Sequence, residues 1–307
     1  MDADQLALLS ASLDEMFADA VGDVSRVLAE LGWEDVVAED QAVATRLLFA
    51  AHARARARTT ILDRFVLDAL RDDVPALASS VLWPSGTADG EIHGVLTHLP
   101  ADDDIVVAPV AGATATSLAV VRGADLVTVP LHTFDPALHW FEATVATPAG
   151  LVATTRWDSA VAAACRALAT ELITLSHEVL RLSVEHTSTR TQFGAPIAAF
   201  QAVRHRLADG RVAITAAEGL LDVAFDDGGL LAARLAKAQA GRAHQLVSGH
   251  AVQVCGAIGA TLEHPLHTFI DRGVVLDSLL GRWDDIVGEL GDLVLATTTA
   301  MPRLVEV

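Results

Sequence analysis

Cysteine is almost missing from this chain of 307 residues: Cys165 and Cys255 are the only two. A disulfide framework and a cysteine-rich metal site are thereby excluded, and the reducing cytoplasm is the expected location. Positive charge is scarce as well. Lysine and arginine total 21 against 40 aspartates and glutamates, a formal net charge of −19. Such a chain repels phosphate backbones, so no nucleic-acid partner is expected. A phosphate-bearing small molecule is still admissible, because it needs only local positive charge. Hydrophobic residues make up 52% of the chain, yet no run reaches the roughly eighteen uninterrupted apolar residues of a membrane span. No membrane partner is expected. The opening Met1-Asp2-Ala3-Asp4-Gln5 lacks the basic start of a signal peptide. His264 and His267 stand three apart with no third ligand evident, so no metal site is expected. Neither serine nor cysteine sits in a recognisable triad arrangement.

What is present divides into three segments. In residues 3–33, apolar residues recur at three- and four-residue steps, which predicts two amphipathic helices broken near Gly22 and closed by Gly32. Residues 40–71 continue helical through Leu47, Leu48, Ile61, Phe65 and Leu70. Arg54, Arg56 and Arg58 alternate within that run, so a helix spreads them around its axis and a solvated face is expected. After Pro75 the period changes to alternation. Runs at 105–108, 117–121, 126–129 and 140–145 read as short strands split by Gly, Asp and Pro. From Leu151 the pattern is helical again: 159–187, 200–222, 230–255, and a last stretch from His264 broken near Gly281. Four long helices with short links predict an antiparallel bundle. The expected architecture is α+β, mainly α, in three domains: a helical one over 1–76, a small β domain over 77–150, and a helical bundle over 151–307.

The stretch Arg190-Thr191-Gln192-Phe193-Gly194-Ala195-Pro196-Ile197, with Phe200-Gln201 behind it, breaks the first bundle helix. An arginine at such a break is placed to pair two phosphate oxygens with its fork, and Phe193 to supply an apolar wall. An ordinary helix–loop–helix joint is the alternative. Downstream stand Gln253-Val254-Cys255-Gly256-Ala257-Ile258-Gly259 and Glu263-His264-Pro265-Leu266-His267. Gly256 and Gly259 permit either close backbone approach to a large ligand or tight packing of a helix turn.

In wording, order and separation these two stretches resemble signatures of the acyl-CoA dehydrogenases, flavoenzymes that desaturate acyl-CoA thioesters. The resemblance is strong from about Trp157 to Leu280. It implies the acyl-CoA dehydrogenase fold, with the N-terminal helical and middle β domains shortened. It also implies an FAD shared between subunits, touched from this chain by Arg190, Phe193, Gln201, Gln253, Gly256 and Ala257. The last of these departs from the family's second glycine in Gln-x-x-Gly-Gly. The family's flavin-side Thr-Glu-Pro loop and Trp-Ile-Thr strand have no counterpart here, and Trp83 reads as a packing residue.

In the family a carboxylate removes the α-proton of the thioester while the β-hydride passes to the flavin. Counting from Gln253 puts Leu280 at the base position, and counting back from Arg190 puts Ala164 at the alternative one. Neither accepts a proton, so no catalytic residue is assigned. Asp277, one turn before Leu280 on the expected helix, and Asp284 and Asp285 after it read as a solvated face. Glu263 matches an ordinary structural position. The short chain and its Glu-His-Pro-Leu-His stretch resemble the paired dehydrogenase subunits of bacterial steroid degradation. An α2β2 heterotetramer with a homologous subunit is implied, in which the partner supplies the base and the substrate is a bulky, steroid-derived acyl-CoA. The alternatives are a self-sufficient homo-oligomeric dehydrogenase using Asp277 or another unaligned acid as its base, and a non-enzymatic scaffold that has lost flavin.

Overall fold

The computed structural model describes residues 1–111 and 116–296. Its first helix, α1 (Ala3–Ala18), starts at a reciprocal cap: Asp2 accepts the Gln5 N–H at 2.8 Å, and the Gln5 side chain accepts the Asp2 N–H. The short helices α2 (Ser25–Glu30) and α3 (Trp33–Glu39) meet at Gly32, whose φ of +68° turns the chain between them. α4 (Gln41–Ala55) is capped by Asp40, which accepts the Val43 N–H at 2.9 Å.

The single helix expected over 40–71 is in fact two. The backbone turns left-handed at Arg56 (φ 52°), and α5 begins only at Ile61 and runs to Ala69 (Ile61–Ala69). Between them β2 (Arg58–Thr59) pairs in parallel with β1 (Val21–Gly22), which draws the chain out of the helix. The three arginines therefore do not share a solvated face. Arg54 is half-buried and pairs with Asp14 at 2.7 Å. Arg56 lies over the Phe269 ring, 4.7 Å from its centre, and donates to the Thr268 hydroxyl. Only Arg58 is exposed.

Eight strands follow: β3 (Ala78–Val81), β4 (Trp83–Ala88), β5 (Glu91–Leu96), β6 (Ile105–Ala111), β7 (Thr116–Arg122), β8 (Val127–Leu131), β9 (Trp140–Ala146) and β10 (Val152–Ala153). They make two four-stranded sheets, ordered β10-β7-β6-β3 and β4-β5-β9-β8. Leu82, Ile92, Leu96, Val106, Ala119 and Val145 form a separate apolar cluster within this layer. β3, β4 and β5 go beyond the alternating runs of the sequence. Pro84, Ser85, Gly86 and Gly94 interrupt their apolar pattern, and pairing supplies the order instead, as in the register from Glu91↔Ala146 to Leu96↔Phe141.

The rest is the bundle: α6 (Trp157–Thr189), α7 (Gln201–Asp227), α8 (Leu230–Cys255) and α9 (Leu266–Ser278), with α10 (Trp283–Ala296) against α8. By length and composition α6 could cross a membrane, but 78% of its apolar window is buried inside the protein. It is the axis on which α4, α5, α7, α8 and α9 pack. Its buried hydroxyls stay satisfied along the helix: Ser176, Ser183 and Thr187 donate to carbonyls four residues back at 2.6, 2.7 and 2.8 Å. One side chain rivets all three layers. Arg272 of α9, 1% exposed, donates to Asp135 of the β8–β9 connection at 2.5 Å and to the carbonyls of Ala57 and Arg56 at 3.0 Å each.

Candidate functional site

Antiparallel helices bring alternate ends together. The C-terminus of α6, the N-terminus of α7, the C-terminus of α8 and the start of α9 lie at one end of the bundle. Two contacts confirm it: the His186 and His264 rings meet edge-on at 5.8 Å, and Arg206 of α7 approaches His250 of α8 at 3.2 Å.

Arg190 caps α6, and its carbonyl accepts the Ile197 N–H at 2.8 Å, closing the joint. Inside the joint, β11 (Thr191–Gln192) pairs with β12 (Ala195–Pro196) across Phe193 (φ 52°) and Gly194 (φ +79°). A two-residue hairpin turn with both central residues left-handed matches the twist of its strands, but a phenylalanine pays for it in strain. The consequence is a Phe193 ring 93% exposed, touching the protein edge-on at Phe200, 6.2 Å away. Gln201 opens α7, and Phe200 before it offers no side-chain cap, so the positive end of the helix is free at this surface.

Gln253 is exposed in the last turn of α8. Gly256 has φ +65° and ψ −149°, a backbone that favours glycine, and nothing lies within 4 Å of where a Cβ would stand. Ala257 beside it is exposed. Gly259 is different: a Cβ there would meet Cys255 at 2.9 Å and Leu266 at 3.2 Å, so it serves packing. Arg190, Phe193, Gln201, Gln253, Gly256 and Ala257 are all exposed at this end. Half-buried His186 borders them, its pKa lowered by burial and by the nearby charges of His264 and Arg190.

Between the β layer and the bundle the chain is more closed. A cavity of about 120 Å³ is lined by Trp83, Trp140, Leu279 and Leu280, and one of about 370 Å³ beside it by Phe134, Asp277, Arg282 and Trp283. Asp277 and Leu280 do not share a helix face as expected. α9 stops at Ser278 and Leu280 sits at φ 57°, so the two line different cavities.

Asp277 is not solvated either; it is 8% exposed. Its partner is Lys237, the chain's single lysine, fully buried in α8. The ammonium donates to the carbonyls of Asp277 (2.7 Å) and Gly281 and lies 3.5 Å from the Asp277 carboxylate. The other carboxylate oxygen accepts the Trp283 N–H at 3.3 Å. Burial pushes the Asp277 pKa up and the Lys237 pKa down, and each charge opposes the shift of the other. Gly241 makes room for the carboxylate: a Cβ there would stand 2.1 Å from it. Sequence reasoning passed over Lys237, although a sole lysine in an apolar helix run was a usable signal.

Asp284 and Asp285 are exposed, and Ala164 is buried in α6. Trp83 is a packing residue, its indole N–H donating to Asp63 at 2.7 Å. Among the described residues no group of three His, Cys, Asp or Glu side chains could hold a metal.

Residues 161–278 match the acyl-CoA dehydrogenase C-terminal domain. The acyl-CoA dehydrogenase IpdE2 of Mycobacterium tuberculosis is 30% identical over 228 residues, which are 70% of this chain and 64% of that protein. The match thus spans just under two thirds of that curated relative. Among solved structures, a variant of the steroid ACAD Tcur3481-Tcur3483 superposes with a TM-score of 0.77 at 20% identity, covering 95% of this chain and 98% of that one. The ChsE4-ChsE5 complex of Mycobacterium tuberculosis gives 0.73 at 17%, over 97% and 99%. Residues 161–278 are thus an acyl-CoA dehydrogenase C-terminal domain, and the chain has the acyl-CoA dehydrogenase fold.

Proposed function

We propose that this chain is one subunit of a heteromeric, FAD-dependent acyl-CoA dehydrogenase, lending cofactor contacts to a site whose catalytic base belongs to a homologous partner. One contrast supports it. The bundle end presents an exposed arginine, an exposed aromatic ring, two amides and an open glycine backbone, whereas the base position holds Leu280 on a turn pinned by Lys237.

The bundle end fits the adenine-nucleotide half of FAD. Arg190 would hold a diphosphate with its planar fork, aided by the positive end of α7. Phe193 would cover an apolar face, Gln201 and Gln253 would offer amide hydrogen bonds, and Gly256 would let the ligand approach the backbone. When bound, the flavin supplies the hydride acceptor for α,β-desaturation. Of the two cavities in the crevice, the one at Leu280 falls below the roughly 300–1,000 Å³ of small-molecule sites, and the one at Asp277, about 370 Å³, lies at the lower end of that range. Asp277 is a poor substitute base, because Lys237 and the Trp283 N–H already engage it. Bulky, steroid-derived acyl-CoA thioesters are the proposed substrates, in keeping with the steroid ACAD among the structural relatives. We take the assembly to be an α2β2 heterotetramer in the cytoplasm.

The test is to purify the chain alone and after co-expression with a homologous subunit that carries the base, and to measure FAD absorbance and acyl-CoA oxidation. The chain alone is expected to be colourless and inactive, and the pair yellow and active. A yellow, active homo-oligomer would overturn the reading.

A further inference from the structure

α6 ends beside two imidazoles. His186 lies one turn before Arg190, so the two side chains share a helix face. His264 reaches the same place from the connection that leads into α9, and the rings meet edge-on at 5.8 Å. The two rings are engaged differently. His264 Nδ1 accepts the Leu266 N–H at 3.1 Å, which takes up its lone pair and holds this ring in the neutral form. His186 gives neither ring nitrogen to a hydrogen bond among the described residues, and neither nitrogen is sealed from the surface. A half-buried ring with free nitrogens thus stands next to the arginine of the proposed cofactor end.

The charges that act on His186 are of one sign. Burial, His264 and Arg190 all oppose a proton on it, and among the described residues no carboxylate pulls the other way. Glu185, beside it on α6, is engaged by Arg181 at 3.3 Å. From α7, Arg204 turns to the Ala198 carbonyl at 3.2 Å. From α8, His250 faces Arg206 at 3.2 Å, and burial pushes the Cys255 thiol up. Exposed Glu263 and half-buried His267 flank His264, with His267 Nδ1 2.8 Å from the His264 carbonyl. The charge that keeps His186 neutral is thus the one that would draw in an anion. An anion on Arg190 cancels that repulsion and adds an attraction of its own.

We propose that anion binding at Arg190 is proton-linked: as a diphosphate settles on the Arg190 fork, His186 takes a proton from solvent and adds a second positive charge beside it. The inference rests on the reading of the bundle end as the FAD diphosphate site and adds His186 to it as the pH-sensitive member. The sign follows from linkage. A ring that holds its proton more tightly with the anion bound strengthens binding below its ligand-free pKa. That gain is lost as the pH rises through its bound value. FAD therefore binds more tightly in mild acid. The diphosphate of FAD keeps its own charge across that range, so the pH dependence belongs to the protein.

The experiment compares wild type, His186→Gln, His186→Phe, His250→Gln and Arg190→Ala in the co-expressed complex, with circular dichroism as the folding control. FAD affinity is measured at about pH 6 and about pH 8, either side of the ordinary imidazole value. Calorimetry of the same titration in two buffers of unlike ionisation enthalpy counts the protons taken up. Wild type is expected to bind FAD roughly three- to tenfold more tightly at the lower pH and to take up a fraction of a proton. Both His186 variants are expected to lose the pH dependence and the uptake, and His250→Gln to keep them. His186→Phe retains a ring against His264, so the comparison stands even where His186→Gln misfolds. Absence of proton uptake in wild type overturns the inference. So does a pH dependence that persists in a folded His186 variant, or a wild-type complex that binds no FAD. If Arg190→Ala sheds FAD while wild type takes up no proton, only the link through His186 fails. If Arg190→Ala keeps its FAD, the reading of the bundle end fails as well.

Discussion

Lys237, the only lysine in the chain, is fully buried 3.5 Å from the carboxylate of Asp277, and it also donates to the carbonyl of Gly281, next to Leu280. A buried ammonium on this turn stabilises a negative charge in one place and backbone carbonyls in two. On the proposed reading Asp277 is a structural counter-charge, and its turn carries Leu280 at the position that counting from Gln253 assigns to the base.

Asp277→Asn should therefore cost stability and not turnover. The substitution leaves a buried ammonium without its counter-charge, a change that typically costs about 3–5 kcal/mol. The denaturation midpoint should fall, while the rate per bound FAD in the assembled complex stays nearly unchanged. Lys237→Met should also lower the midpoint, because it leaves the Asp277 carboxylate and the carbonyls of Asp277 and Gly281 without their donor. A rate loss of several orders of magnitude in Asp277→Asn, with fold and FAD intact, would make Asp277 the base.

Acid should weaken the fold through His244. This ring is fully buried, with Nδ1 3.2 Å from the Ser176 hydroxyl and Nε2 3.2 Å from the Ile270 carbonyl. Burial lowers its pKa from 6.5 to about 4. Folding thus favours the neutral ring. Its contribution is fully present above pH 6.5 and is lost as the pH falls toward 4, on the order of 3 kcal/mol in all. Denaturant titrations across that window should show a shallower slope for His244→Gln than for wild type. Equal slopes would remove His244 as the cause.

Arg272→Met should destabilise the joint of the three layers. It strands the buried Asp135 carboxylate and leaves the carbonyls of Arg56 and Ala57 without their donor. Breaking such a pair costs about 3–5 kcal/mol, and adding Asp135→Leu should recover part of the loss. Urea unfolding of both variants measures this; a double variant less stable than Arg272→Met would contradict it.

The bundle was legible in the sequence because its apolar period is long and its breaks are marked. The helix expected over 230–255 is α8 (Leu230–Cys255), while the one expected over 200–222 runs on to Asp227, where Gly228 stops it. The paired glycines were less legible. Gly256 and Gly259 look alike in sequence, and only the backbone angle at one and the crowded Cβ position at the other separate them. The break at Arg56 carried no Gly or Pro signal; it follows from pairing between Val21–Gly22 and Arg58–Thr59, distant in sequence. Asp277 looked solvated because its counter-charge lies forty residues away on another helix. Arg206 and His250 meet for the same reason, across two helices.

The measurement that bears most directly on the shared-site account is FAD retained per complex after gel filtration for Arg190→Ala, beside wild type and Arg190→Lys. A charge-assisted, bidentate contact contributes about 1.5–3 kcal/mol, so the alanine variant should bind FAD roughly ten- to a hundredfold more weakly. Lysine should restore only part, since an ammonium lacks the planar fork. The fold should survive both changes, because Arg190 is exposed at a helix end. Full FAD retention in a folded Arg190→Ala complex would contradict the account.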